Sequence, residues 1–380
     1  MKKILFVTND FGPRAGGIES FIMGIIENLP KDSVLVYTSR QSDTSEYDRS
    51  WYADYGVEVL RDRTKVLLPT PRVSRTLQKI VNRAGVDVVC FGAAAPLGLL
   101  ANGLRRRGVS RIVAITHGHE VWWAKVFPFS LALRRIGDCV DVLTYLGEFT
   151  KREISKALSD SARSSMVRLA PGIDIEHFSP STGESSLRSE LNLEGKKVVI
   201  SVGRLVKRKG QDRLIEALPS IRKAIPNAHL LFVGEGSYGR HLRKLVHREG
   251  ISDAVTFVGR VPFTDLPKYF RVGDVFAMPS RSRFGGLEVE GLGIVYLEAS
   301  SCGLPVIAGR SGGAPDAVVE GETGLIVDGK NVEEIARVIS SLLSDEAKAK
   351  EMGKYGREWV LAQWSWKSWS NRFAEILKSR

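Results

Sequence analysis

Two glutamates stand eight positions apart in EGLGIVYLE, residues 290–298, and glycines at positions 291 and 293 lie between them. Because glycine weakens a helix, we expect a loop that turns into a helix near Gly293. The free amides and positive dipole end of such a helix attract phosphate oxygens. Glu290 would precede the helix and Glu298 would lie more than a turn inside it, so both could accept hydrogen bonds from sugar hydroxyls. The alternative is that Glu290 only favours the helix dipole and Glu298 is a surface residue.

A second charged pattern is VGRLVKRKG, residues 202–210, which begins where an apolar run typical of a strand ends. Arg204 and Lys209 are five positions apart, close enough to converge on one anion. A planar guanidinium and a compact ammonium group together suit a diphosphate. We expect Lys207 and Arg208 to be solvated, and a wholly solvated basic loop is the alternative for the segment.

The loop after the first apolar run, NDFGPRAGGIESF at residues 9–21, places Gly16 and Gly17 before a helix-like segment. Glycines let a ligand approach the backbone, and the helix start offers unpaired N–H groups to an anion. The pattern is not GxGxxG, and no acidic residue directly follows the second strand. A hydride-transfer enzyme is therefore disfavoured, and a tight structural turn remains the alternative.

The segment THGHE, residues 116–120, places His117 and His119 two positions apart at the end of another apolar run. No cluster of carboxylates or cysteines in the sequence completes a metal site around them. The chain also lacks an Asp-x-Asp of the kind that links a metal ion to a diphosphate. We therefore predict no metal and no other cofactor.

These patterns follow β-branched and apolar runs that alternate with helix-like segments, and the series restarts near residue 197. Nearly continuous apolar strands of this kind are typical of parallel sheets covered by helices on both faces. We predict an α/β protein with two Rossmann-like, doubly wound domains, residues 1–170 and 171–360, that face a central cleft. We expect residues 361–380 to form a C-terminal helix that packs back toward the first domain.

Composition narrows the class of protein. The 380 residues are 43% hydrophobic and 26% charged, as in soluble globular proteins. The three cysteines lie in apolar runs, which favours free thiols in a reducing compartment. The opening MKKILFVTND has too short an apolar run for a signal peptide, and no stretch reaches the roughly 18 apolar residues of a membrane span. We therefore expect a cytosolic protein.

The net charge is +12, of which residues 1–168 carry +8. Such an excess favours anionic partners. Segment 61–83 is basic, and segment 120–138 combines basic residues with paired aromatic ones, so both suit an anionic membrane surface. A buried helix is the alternative for segment 120–138. The charge has no RNP, KH or helix-turn-helix context, so we predict no nucleic-acid partner.

In combination, the glycine loop, GRLxxxKG, FVGEG, FVGRV and E-x7-E resemble the retaining glycosyltransferases of family 4, which have the GT-B fold. The motifs follow the order and spacing of that family over the whole chain. GGLEVEGLGIVYLEA is similar to the bacterial mannosyltransferases that act on phosphatidyl-myo-inositol mannosides with GDP-mannose. Many members have Phe where this chain has Leu292, which changes a packing residue.

The resemblance implies catalytic roles for His117, Arg204, Lys209 and Glu290. It further implies that the nucleotide sugar is bound by the residues Gly16, Gly17, Val261, Gly293, Ile294 and Glu298. The Arg–Lys pair would hold the diphosphate, the amides at the helix start a phosphate, and Glu298 the ribose. The backbone of Val261 would contact the base, and His117 would lie near the sugar and acceptor.

The resemblance thus predicts retaining transfer of mannose from GDP-mannose to a phosphoinositide-type lipid acceptor, without metal. The enzyme would be peripheral at the inner, cytoplasmic face of the plasma membrane. The alternative within the family is transfer from a UDP-sugar to a polysaccharide or soluble acceptor. Outside the family, a non-catalytic nucleotide-binding module is the alternative. The residues leave open the base, the linkage position, the mannose count of the acceptor and the oligomeric state.

Overall fold

The structure is a computed structural model that describes residues 3–14, 16–180 and 186–378. The chain divides into two compact units. Unit 1 consists of Met1–Gly172 and Trp366–Arg380, and unit 2 of Ile173–Ser365. Each unit contains a parallel sheet flanked by helices. The predicted α/β class with two Rossmann-like domains is therefore confirmed.

The described part of unit 1 has one sheet of seven strands. They are β1 Lys3–Thr8, β2 Val34–Thr38, β3 Glu58–Arg61, β4 Val86–Phe91, β5 Arg111–Ala114, β6 Val142–Tyr145 and β7 Met166–Arg168. The order is β3-β2-β1-β4-β5-β6-β7, with Ile4 opposite Val34 and Phe6 opposite Cys90. The strand order therefore reverses between β1 and β4, and ligands of such sheets bind beyond the carboxyl ends of the strands at that point.

The helices before residue 172 are α1 Gly17–Glu27, α2 Ser45–Tyr55, α3 Pro71–Ala84, α4 Ala101–Arg105, α5 Glu120–Lys125, α6 Phe129–Cys139, α7 Glu148–Ser155 and α8 Asp160–Ser164. The buried stripe of α3, Val73, Leu77 and Val81, repeats every four residues as expected for a helix that packs on a sheet. The basic residues Arg75, Lys79 and Arg83, which also recur every four residues, therefore share the opposite face.

Unit 2 has, in the part that is described, a six-stranded parallel sheet with the order β10-β9-β8-β11-β12-β13. Its strands are β8 Lys197–Val202, β9 Ala228–Val233, β10 Val255–Gly259, β11 Val275–Met278, β12 Val306–Gly309 and β13 Gly324–Val327. Its helices are α9 Ser186–Glu190, α10 Gln211–Ala224, α11 Gly239–Arg248, α12 Leu266–Arg271, α13 Ile294–Ser301, α14 Val332–Ser344 and α15 Glu346–Gln363. The order reverses between β8 and β11, so the loops after these two strands begin at the equivalent point of this sheet.

The last helix, α16 Trp366–Leu377, belongs to unit 1. Its Trp366 ring lies 6.5 Å from the ring of Phe21, and its Phe373 ring lies 6.0 Å from that of Phe6. The aromatic side chains Trp366 and Phe373 therefore lie on the packing face of this helix. Across the described residues, every helix is either too short or too polar to span a bilayer.

Candidate functional site

Three loops meet at the carboxyl edge of the unit 2 sheet, after β8, β11 and β12. The backbone N–H of Arg281 donates to the carbonyl of Arg208 over 2.9 Å, which joins the first two loops. The N–H of Gly313 donates to the carbonyl of Glu290 over 2.8 Å, which joins the second and third. A Cβ at Gly312 would lie 2.1 Å from the Glu290 carbonyl oxygen. Glycine at position 312 therefore permits the close approach that holds the Glu290 backbone.

Glu290 is a buried carboxylate that meets two cations. Its Oε2 lies 2.9 Å from Lys209 Nζ and also accepts a hydrogen bond from Arg208 Nη1. Burial raises the pKa of Glu290, but Lys209 and Arg208 outweigh burial, and the pKa lies below its ordinary value. Glu290 is therefore ionised at neutral pH and stands ready to accept hydrogen bonds.

The expectation that Arg208 is solvated is wrong, because its side chain is only 12% exposed and is bound to Glu290. The preceding residue, Lys207, is exposed, as expected. In the same loop Lys209 is buried and Arg204 is exposed. The structure thus brings Lys209 to Glu290 and leaves the Arg204 side chain at the surface of the loop.

Helix α13 begins where the glycines predict. Gly293 is its N-cap with φ of 78°, in the left-handed region that favours glycine. A Cβ there would also lie 2.4 Å from the ring of Tyr296, which is fully buried. The Tyr296 hydroxyl donates to the carbonyl of Met278 over 2.8 Å and so anchors the helix to the end of β11. The amides of Gly293 and Ile294 lie at this helix start, where an anion is favoured.

Glu298 lies in the second turn of α13 and is partly buried. Burial raises the pKa of Glu298 to about 7, and Lys209 lowers it by less. This carboxyl group is therefore divided between its neutral and ionised forms near neutral pH. A hydroxyl-bearing ligand such as a ribose would supply hydrogen bonds that favour the ionised form.

Val261 lies two residues beyond β10 and is partly buried. The loops after β9 and β10 are joined by a hydrogen bond from the Gly234 N–H to the Gly259 carbonyl, of 2.7 Å. These loops and the Glu290 loop follow strands of the same sheet. The structure therefore places Val261 at the same edge as Lys209 and Glu290.

A buried ion pair, which residue spacing does not predict, lies at the same loops. Arg281 donates two hydrogen bonds, of 2.8 and 2.6 Å, to the carboxylate of Asp212 in the first turn of α10. Both side chains are less than a tenth exposed. The pair holds the loop after β11 against α10, and no spacing rule links two residues that are 69 positions apart.

In unit 1 the glycine loop leads into α1. Gly16 is the N-cap, and a Cβ there would lie 2.2 Å from Glu19 Oε2. A Cβ at Gly17 would meet no atom within 4 Å, so the space beside Gly17 is open. The Glu19 carboxylate is paired with Arg14 Nε at 2.8 Å. Gly16 is thus explained by packing, whereas Gly17 leaves room for a ligand.

His117 follows β5 in unit 1, and its Nε2 hydrogen-bonds to the carbonyl of Gly92. Its backbone N–H donates to Glu120 Oε2 over 2.9 Å. Burial lowers the pKa of His117, although Glu120 opposes this shift. The imidazole is therefore neutral at pH 7, and because Nε2–H donates to a carbonyl, Nδ1 keeps a lone pair for a ligand. Within the described ranges no three His, Cys, Asp or Glu side chains are grouped to hold a metal ion.

Two family models match the chain. The model described as Glycosyltransferase Family 4 matches residues 15–177, and the model described as Glycosyl transferases group 1 matches residues 184–359. Together they cover Gly16 and Gly17 of unit 1 and the charged loops of unit 2.

Two curated bacterial proteins are similar to the chain over almost its full length. The GDP-mannose-dependent alpha-(1-6)-phosphatidylinositol monomannoside mannosyltransferase of Mycolicibacterium smegmatis is 43% identical over 99% of this chain and 98% of its own. The GDP-mannose-dependent monoacylated alpha-(1-6)-phosphatidylinositol monomannoside mannosyltransferase of Corynebacterium glutamicum is 43% identical over 100% and 98%. These matches establish the enzyme family.

Solved structures agree on the fold. The Anabaena protein HepE, crystallised with UDP, superposes with a TM-score of 0.83 at 21% identity and covers 100% of both chains. Full-length similarity to curated enzymes, matched family models and this shared architecture together show that the chain is a glycosyltransferase of family 4 with the GT-B fold.

Proposed function

We propose that this enzyme transfers mannose from GDP-mannose to a phosphatidylinositol mannoside lipid. The observation that carries the proposal is the charged centre of unit 2, where Lys209 and Arg208 meet Glu290 at the start of α13. The identity of the donor and the acceptor is supported by the names of the two bacterial relatives.

The donor would bind by its charges and hydroxyls. Its diphosphate draws on the ammonium group of Lys209, the exposed guanidinium of Arg204 and the amides at the start of α13. The ribose hydroxyls donate to Glu298, and the base lies against the backbone of Val261. Glu290, which is held close to Lys209, accepts hydrogen bonds from the mannose hydroxyls.

The chemical step proposed is a front-face displacement that retains the configuration at the anomeric carbon. The bond from that carbon to the β-phosphate oxygen breaks, and a bond to the acceptor oxygen forms on the same face. The departing phosphate oxygen takes the acceptor proton, so GDP leaves with it. Arg204 and Lys209 stabilise the charge that develops on the diphosphate. Neutral His117, with its free Nδ1, accepts a hydrogen bond from a sugar or acceptor hydroxyl.

A lipid acceptor requires contact with a membrane, and α3 is suited to one. Its exposed basic residues, Arg75, Lys79 and Arg83, recur every four positions and so share one face. Arg72, in contrast, donates two hydrogen bonds of 2.8 Å to Asp62 and is part of the fold. We propose that the exposed face of α3 binds anionic lipid at the cytoplasmic side of the membrane.

The hairpin of α5 and α6 offers an apolar contact in the same unit. Phe127 and Leu131 are 77% and 57% exposed. The rings of Trp122 and Trp123 instead pack on Phe129, at 4.6 and 5.0 Å between centroids. Two large exposed apolar side chains beside basic residues suit the headgroup region of a bilayer.

The phosphate contacts can be tested by substitution. We expect Arg204→Ala or Lys209→Ala to reduce turnover by about 100-fold or more, because one lost transition-state charge contact costs about 3 kcal/mol. Lys207→Ala is the matched control, because Lys207 is exposed and its substitution removes one basic side chain from the same turn. Mannose transfer to a phosphatidylinositol mannoside is measured for each variant. Equal and mild losses of turnover in all three variants would contradict the proposal that Arg204 and Lys209 bind the diphosphate.

Metal independence is proposed because Arg204, Lys209 and the α13 amides supply the positive charge that a divalent ion supplies elsewhere. Mannose transfer should therefore retain nearly its full rate in excess EDTA. If EDTA abolishes transfer and Mg²⁺ or Mn²⁺ restores it, the protein cations do not suffice.

A further inference from the structure

Arg208 is given no contact with the donor or the acceptor in the proposed reaction, yet its side chain is held inside the site. Its side chain is 12% exposed, and its Nη1 bonds the same Glu290 oxygen that Lys209 approaches at 2.9 Å. Its Nε also lies 3.8 Å from Glu288 Oε1. Two cations thus share one carboxylate oxygen.

The backbone of Arg208 is fixed more firmly than a surface loop requires. It lies in the 3₁₀ turn Lys207–Lys209, and its carbonyl accepts a hydrogen bond of 2.9 Å from the Arg281 N–H. Arg281 is itself held by the buried pair with Asp212. Gly210, which ends the turn, has φ of 81°, and a Cβ there would lie 2.1 Å from the Pro279 carbonyl oxygen. The guanidinium is therefore presented to Glu290 from a rigid base.

Binding of a diphosphate creates competition for one of the two cations. The flexible ammonium group of Lys209 is drawn to the phosphate, whereas Glu290, at 8% exposed, cannot replace it with water. A buried carboxylate that loses its partner is strongly unfavourable. A second cation that stays in place removes this difficulty, and arginine keeps its charge at every accessible pH.

We propose that Arg208 is the positioning residue of Glu290, compensating its charge and orienting it toward the donor sugar once the diphosphate has drawn Lys209 away. The inference rests on the proposed function, in which Lys209 binds the donor diphosphate. Arg208 then acts on the donor through Glu290 and makes no phosphate contact of its own. The rival role, a third phosphate ligand, predicts a different response to the loss of Glu290.

A double-mutant cycle on GDP affinity separates the two roles. GDP is titrated calorimetrically into wild type, Arg208→Ala, Glu290→Gln and the double variant. We expect Arg208→Ala to weaken GDP binding about tenfold, because Glu290 then competes with the diphosphate for Lys209. In the Glu290→Gln background the same substitution should change GDP affinity by less than about threefold. Lys207→Ala, in the same turn, should change it by less than about twofold.

Measuring kcat gives a second test, because a purely structural role of Arg208 would not produce the pattern of kcat values expected here. Arg208→Ala should lower the kcat of mannose transfer more than about tenfold, and Arg208→Lys should recover part of that loss. Glu290→Gln should lower kcat as well, and adding Arg208→Ala to it should cost little more, since one residue acts through the other.

Two results would overturn the inference: an equal tenfold loss of GDP affinity with and without Glu290, or no loss in Arg208→Ala. The affinity cycle needs no sugar transfer. An enzyme that binds GDP and shows the expected coupling but transfers no mannose would overturn the proposed function alone. One that transfers mannose without the coupling would overturn the role of Arg208 alone.

Discussion

Glu290 and Glu298 share one loop and helix, yet the fold shifts their pKa values in opposite directions. Lys209 and Arg208 keep the pKa of Glu290 below its ordinary value despite burial. Burial dominates at Glu298 and raises its pKa to about 7. The fold therefore holds one carboxylate whose charge is compensated by cations and one whose charge is poorly compensated and suited to hydroxyl donors from a ligand.

This contrast predicts a stability change with a definite sign. The folded state binds the Glu298 proton more tightly than the unfolded state, in which the pKa of this carboxyl group is about 4.5. Proton binding at Glu298 therefore stabilises the folded state fully below about pH 4.5, and this stabilisation is lost as the pH rises through about 7. Glu298→Gln should therefore raise the free energy of unfolding by about 1–3 kcal/mol at pH 8 and have less effect at pH 5. Urea unfolding at the two pH values measures the difference.

Glu290→Gln is the matched control, because the pKa of Glu290 is shifted in the opposite direction. The ion pairs of Glu290 stabilise the folded state above the pKa of the unfolded state, and this stabilisation is lost as the pH falls through the pKa of the folded state. This variant should lower the free energy of unfolding at pH 7. If both variants shift stability in the same direction at pH 8, the assignment of the two environments is wrong.

Residue spacing could predict that Lys209 and Glu290 lie in loops of unit 2, because both lie in polar or glycine-containing segments that follow apolar runs. It could not predict the burial of Arg208. The three adjacent basic residues 207–209 look alike in sequence, but the 3₁₀ turn with its Arg281 hydrogen bond directs Arg208 and Lys209 toward Glu290 and leaves Lys207 exposed. The burial of the Arg208 side chain is determined by packing between segments that are distant in the sequence.

Elements were predictable where their apolar runs are long. The apolar run ILFVT at residues 4–8 lies within β1, and VLVYT at residues 34–38 coincides with β2. The edge strands β3 and β7 give a much weaker signal in the sequence, because EVLR and MVR are short and only partly buried. The start of α13 was predictable because Gly291 and Gly293 disfavour a helix before the apolar residues that follow them.

Helix α3 carries the prediction about the membrane. Replacing Arg75, Lys79 and Arg83 with serine should weaken binding to anionic vesicles by about 100-fold, at roughly 1 kcal/mol for each basic residue near the surface. GDP affinity should not change. Binding to phosphatidylglycerol-containing and neutral phosphatidylcholine vesicles is measured by cosedimentation at several salt concentrations.

Helix α11 of unit 2 provides the control, since it also exposes a basic face. Serine at Arg240, Lys244 and Arg248 removes the same number of charges from the other unit. We expect this variant to bind vesicles like wild type. Equal losses in both variants would mean that net charge, and not the α3 face, governs the interaction.

The whole chain has a net charge of +12, with +8 in residues 1–168, and this asymmetry was visible in composition. What composition could not show is which charges are free. Arg72 and Arg61 are both basic residues of segment 61–83, but ion pairs with Asp62 and Asp48 hold them in the fold. Arg61 and Arg72 are therefore engaged within the fold, whereas Arg75, Lys79 and Arg83 on α3 are exposed.

The choice of donor tests the proposed role of the charged loops of unit 2, where Lys209 and Arg208 meet Glu290. Initial rates of sugar transfer to a phosphatidylinositol mannoside in anionic vesicles should be compared for GDP-mannose, UDP-glucose and UDP-galactose at equal concentrations. The proposed function predicts that mannose from GDP-mannose is incorporated at least about 100-fold faster than either sugar from UDP. Transfer from a UDP-sugar at an equal or higher rate, or no incorporation of mannose at all, would contradict it.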